Sequence, residues 1–166
     1  MKYRFDEVYG SSGDRARLRA LQDALTAVGR GPETIRFFTA PGRTELGGNH
    51  TDHQHGLVLA AAVDVDTVAA VAPNGTDRVR LWSAGFPPCE ISLDPARNAP
   101  APKESALSLL QGMVECYPWA EPCGLDIRAS SASFEVLLAE VFNVLWQKDA
   151  LPPLKLAELG QRVEND

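Results

Sequence analysis

A chain of 166 residues, 45% of them apolar, is long enough to bury one hydrophobic core. The net charge of −6 and the lack of any Lys/Arg cluster argue against a nucleic-acid partner, since phosphate binding needs local positive charge. The longest apolar run, Leu57 to Val63, is far too short for a membrane span, and MKYRFDEVYG at the start has no signal-peptide character. Cys89, Cys116 and Cys123 follow no zinc spacing and read as free thiols in a reducing cytoplasm.

In chain order, Asp14 opens an amphipathic stretch with Leu18, Leu21, Leu25 and Val28 on one face. Gly29, Gly31 and Pro32 close it, which predicts a capped helix. Ile35 to Ala40 reads as a short strand broken by Pro41 and Gly42, so that Arg43 lies where a strand leaves the sheet. Leu57 to Val63 reads as a buried strand. Thr67 to Ala72 and Arg78 to Ser83 read as two more, joined as a hairpin through Asn74-Gly75. Phe86 to Pro102 is Pro-rich and irregular. Ser105 to Tyr117 is helical, with Leu109, Gly112, Met113 and Cys116 inward. Gly124 to Ala129 is a strand, Ser131 to Trp146 a strong helix, and a last amphipathic helix starts near Leu154. Without strict βαβ alternation, this order predicts an α+β fold with a mixed sheet packed with helices, in one domain over residues 1–166.

The chemistry concentrates in PGRTELGGNHTDHQHG, Pro41 to Gly56. All three histidines, His50, His53 and His55, lie here with Glu45, Asp52 and Arg43. A metal site could use His53 and His55 as alternate residues of a strand, but the glycines at 47, 48 and 56 favour a bent loop. A polar loop carrying these groups only for solvation is the bland alternative. Against it, glycines permit close approach to something small, and carboxylates beside Asn and His suit sugar hydroxyls. Arg43 offers a planar donor fork suited to a phosphoryl group.

Pro41-Gly42-Arg43, Gly48-x-His50-Thr51-Asp52 and Gly56-x-Val58-Leu59 together resemble the signature of the galactokinases, members of the GHMP small-molecule kinases. Ser130-Ser131-Ala132-Ser133-Phe134-Glu135-Val136 resembles the end of that family's glycine-rich phosphate loop, and Gln161 to Asn165 the approach to its later catalytic region. The resemblance implies a GHMP-kinase N-terminal domain of the ribosomal protein S5 domain 2-like type, cytoplasmic, using ATP and Mg2+ to phosphorylate galactose or a related hexose. It places Arg43 at the transferred phosphoryl group and Asn49, His50 and Asp52 at the sugar hydroxyls. It sets Ser83 near the adenine, and Ser130, Ser131 and Ser133 at the phosphates, with Ser131 on magnesium. A helix start suits that last role, because its free N–H groups and dipole attract anions.

The chain also departs from the family pattern. Asn49 stands where an acid is usual, Glu45 where Asn is usual and His53 where Tyr is usual, which leaves the identity of the hexose open. The glycine-rich half of the phosphate loop is absent before Ser130, and the sequence ends ahead of the family's catalytic aspartate. The resemblance therefore implies a longer polypeptide with a C-terminal region. Ala129 and Ser130 are expected to lie farther apart than the ~3.8 Å of bonded neighbours, and Leu156, Leu159 and Val163 to be poorly covered. The 166 residues alone are not expected to turn over. Two rivals remain: a non-catalytic sugar sensor on the same scaffold, and a zinc hydrolase built on the histidines.

Overall fold

A computed structural model describes residues 4–10, 15–48, 57–103, 105–116, 121–131 and 135–165. Helices α1 (Phe5–Tyr9) and α2 (Arg15–Thr26) precede strands β1 (Arg36–Gly47), β2 (Leu59–Pro73), β3 (Arg78–Ser83) and β4 (Cys89–Ser92). Then follow α3 (Ala106–Cys116), β5 (Leu125–Ala129), α4 (Glu135–Trp146) and α5 (Pro153–Asn165). The strands form one mixed sheet in the order β1-β2-β5-β3-β4, as the α+β reading expects. Among the described residues only the β3–β5 pair is parallel.

Alternation along the strands builds two layers on the sheet. Ala69 and Val71 of β2, Val79 and Leu81 of β3, and Leu125 and Ile127 of β5 point to one face. There they meet Leu110 and Met113 of α3 and Leu138 and Phe142 of α4. Phe142 and Trp146, one turn apart on α4, stack with ring centroids 4.0 Å apart, and the Trp146 indole N–H donates to the Cys123 carbonyl at 3.1 Å. On the other face Leu25 of α2 packs on Ala70 and Ala72. Val28 lies past the end of α2 and is exposed rather than inward.

Several expectations change. The strand from Ile35 does not stop at Pro41-Gly42; it runs to Gly47 and absorbs the break as a register shift between Pro41 and Arg43. The run Leu57–Val63, from Leu59 on, and Thr67–Ala72 belong to one continuous β2, and the first of these runs is largely exposed rather than buried. Asn74-Gly75 makes its turn, yet β2 and β3 do not pair, because β5 inserts between them. The Pro-rich segment holds the unexpected edge strand β4. Leu156 and Leu159 are buried and Val163 packs on the core, so α5 is covered, contrary to expectation. The close α3–α5 approach depends on Gly112, where a Cβ would stand 2.9 Å from the Val163 side chain.

Candidate functional site

Strand β2 is 15 residues long, but β5 pairs only with Ala69 to Pro73. The remainder of β2 extends beyond the sheet with β1 alone beside it among the described residues, as a two-stranded ribbon. Its register pairs Arg43 with Ala62, Glu45 with Ala60 and Gly47 with Leu59. Arg43 and Glu45, two residues apart, share a face of the ribbon, and Arg43 Nη2 stands 3.8 Å from Glu45 Oε1. The Arg43 side chain is 69% exposed, so its guanidinium keeps donors for an anion. Past the ribbon Gly48 has φ +78° and lies against Leu57, where a Cβ would overlap the Leu57 carbonyl oxygen. That conformation and that approach both require glycine. Asn49, His50, Asp52, His53 and His55 fall in residues 49–56, outside the described residues, as does Ser133.

The remaining serines converge at the C-terminal end of β5. Ala129 and Ser130 are consecutive and the chain passes directly between them, so the expected separation is not found. Ser131 is not helical, and among the described residues α4 is seen from Glu135 on. Ser130 N donates to the Val68 carbonyl at 2.9 Å, and Ser130 Oγ accepts from Val68 N at 3.0 Å. Ser83 Oγ donates to the Ser131 carbonyl at 2.7 Å. Arg43, by its pairing with Ala62, stands six residues up β2 from the Val68 clasp, or about 20 Å along an extended strand. The structure thus groups Ser83, Ser130 and Ser131 and sets Arg43 apart from them. Among the described residues no carboxylate is a hydrogen-bond partner of these serines. Magnesium is usually held through carboxylates together with phosphates. The described side chains therefore do not fit a magnesium site by themselves.

Where the ribbon leaves the sheet, Asp66 accepts from Thr39 Oγ1 at 2.7 Å, from Arg17 Nη2 at 2.7 Å and from the Tyr9 hydroxyl. Burial opposes its charged form, but those three donors outweigh burial and hold the carboxyl below its ordinary range. For Tyr9, burial and the Asp66 hydrogen bond push the phenol up. Sequence reading missed this cluster because its members lie on α1, α2, β1 and β2, and only the register brings them together.

On the α2 side of the sheet, an open cleft of about 340 Å³ is lined by Arg30, Arg80, Trp82, Glu90 and Asp126 among others. Asp126 is fully buried; Arg30 Nε lies 2.9 Å from its Oδ2 and Asn74 Nδ2 donates to its Oδ1 at 2.9 Å. Arg80 is spent on Glu90 at 2.6 Å. These pairings tie the Asn74 turn to the end of α2 and account for the charges in structural terms.

Residues 26–73 match the galactokinase galactose-binding signature. The galactokinase of Lactococcus lactis subsp. cremoris is 30% identical over 171 residues, which cover 90% of this chain and 41% of the relative. An alignment of 171 positions that covers only part of a 166-residue chain means the relative carries residues with no counterpart here. The crystal structure of Lactococcus lactis galactokinase complexed with galactose superposes with a TM-score of 0.76 at 27% identity, covering 90% of this chain and 42% of that one. The Methanococcus jannaschii mevalonate kinase gives 0.60 at 16% identity over 78% of this chain and 46% of its own, a likeness of fold alone. The chain spans under half the length of the relatives it matches. No helix among the described residues is long and apolar enough to cross a membrane.

Proposed function

From its likeness to the galactokinases in sequence and in fold, we propose that the chain is the sugar- and ATP-binding part of a hexose kinase. The kinase would transfer the γ-phosphoryl of ATP to the anomeric hydroxyl of galactose or a related hexose. One observation carries the reading: the galactose-binding signature covers β1, β2 and the segment between them, and so includes the two-stranded ribbon that extends beyond the rest of the sheet. In this reading Asn49, His50 and Asp52 bind the sugar hydroxyls, with Asp52 the strongest acceptor. Arg43 meets the phosphoryl charge. Catalysis comes from positioning and from charge stabilisation, as in phosphoryl transfer generally. The acid that orients the attacking hydroxyl comes from chain beyond these residues. Asn49, where an acid is usual, keeps a hexose other than galactose in view.

Residues 1–166 then form a GHMP-kinase-like N-terminal domain completed by a C-terminal region. Exposed Leu57, Leu59 and Val65 on the ribbon and at its tip support that completion, because large apolar side chains left in solvent gain from being covered by further chain. The Lactococcus lactis and Methanococcus jannaschii proteins it resembles are kinases, which favours the enzyme over the non-catalytic sensor.

The test is phosphotransfer from ATP to galactose by the protein isolated from its source, with Arg43→Ala beside it. Arg43→Ala should lower kcat about 100-fold or more and leave the sugar KM within a few-fold, because its contact strengthens as charge develops. A variant with normal kcat and a weakened KM would make Arg43 a plain binding residue. Galactose binding without ATP consumption would install the sensor.

A further inference from the structure

Strand β5 ends at Ala129 on both its sides at once. Its parallel ladder with β3 closes at Ser83 opposite Ala129, and its antiparallel ladder with β2 closes at Ala69 opposite Ala129. Beyond that point the backbone of Ser130 and Ser131 would leave the sheet unsupported. Two hydroxyls continue the bonding for one more step. On the β2 side Ser130 exchanges both its N–H and its Oγ with Val68. On the β3 side Ala84 N donates to the Ala129 carbonyl at 3.2 Å, and the Ser83 hydroxyl takes the place of the next backbone donor by reaching the Ser131 carbonyl. Ser83 is 7% exposed, so this bond forms away from competing water.

We infer that Ser83 is a positioning residue whose hydroxyl pins the turn at Ser130-Ser131 to the end of β3. The inference rests on the reading of that turn as the phosphate-facing end of the ATP site. A hydroxyl has one proton to donate, and here the Ser131 carbonyl takes it. Ser83 would then act on nucleotide binding by fixing the direction in which residues 130 and 131 leave the sheet. A turn held in one geometry before the anion arrives avoids an ordering cost on binding.

The experiment compares Ser83→Ala, Ser83→Cys and Ser83→Thr with the native protein. Cysteine keeps the volume but weakens the donor, and threonine keeps the hydroxyl. Residue-resolved amide exchange without ligand should show Ser130 and Ala84 exchanging about five- to tenfold faster in the Ala and Cys variants, and near native rates in Thr. ATP titrated with magnesium by calorimetry should bind about five- to tenfold more weakly in Ala and Cys, recover in Thr, and leave galactose affinity within twofold. Native exchange rates at Ser130 and Ala84 in Ser83→Ala would overturn the pin. A loosened turn with unchanged ATP affinity would overturn its role in positioning the nucleotide. Native protein that binds no ATP, with the turn still loosened in Ala and Cys, would instead remove the phosphate reading of the turn and leave the pin established.

Discussion

The two ends of β2 live in different environments. From Val68 to Ala72 the strand is buried, with β1 and β5 on its flanks, α2 on one face and the helical layer on the other. From Leu59 to Val65 it has one strand beside it among the described residues, and Leu59 and Val65 are 64% and 72% exposed. One strand therefore serves as scaffold at one end and as a presented arm at the other. Asp66 marks the join, where Tyr9, Thr39 and Arg17 tether it. Stability should reside in the first end, and the capacity to bind in the second.

The sharpest way to break that division is through the core. Phe142→Ala removes a fully buried ring stacked on Trp146 and should cost about 3–5 kcal/mol, read as a shift in the urea midpoint. A shift under about 1 kcal/mol would mean that the helical layer does not anchor the fold.

The join comes next. Asp66→Asn weakens three hydrogen bonds, two of them to neutral hydroxyls and one to a guanidinium, and should cost about 2 kcal/mol at neutral pH. The sign with pH follows from a carboxyl held below its ordinary range. The native contribution is fully present above the unfolded value of about 3.9 and is lost as pH falls through the lower folded value. The urea midpoints of native and variant protein should thus differ at pH 7 and approach each other on strong acidification. A gap that holds constant with pH would show that Asp66 stabilises through packing and not through charge.

The arm should show the smallest effect. Leu59→Ser or Val65→Ser changes a side chain that is mostly solvated already, so unfolding should move by no more than about 0.5 kcal/mol. A large loss would place a hidden partner on the ribbon within this chain.

How much of this could be read from sequence followed the range of the interactions. Helical periodicity found α3 and α5 and the core face of α4, because those patterns are local. Asn74-Gly75 gave a true turn but a false hairpin: turn chemistry fixes a reversal, not a partner, and β5 arrives from fifty residues downstream. Leu57–Val63 looked buried because an apolar run states what must be covered, not what covers it. In the candidate site, the exposure of Arg43 follows from the bulged ribbon, and the glycine at 48 from its positive φ. The resemblance gave Ser83 and Ser130 ligand roles. Nothing in their sequence neighbourhood says that their hydroxyls serve Ser131 and Val68, since those bonds need β2, β3 and β5 side by side.

The claim that the arm presents a sugar site is tested most directly by titrating galactose, and a panel of related hexoses, into native protein and Asp52→Ala by calorimetry. The account predicts saturable binding of one hexose by the native protein and its loss in Asp52→Ala, a change worth about 1.5–3 kcal/mol for a charge-assisted acceptor. Equal hexose affinity in the two proteins would contradict it.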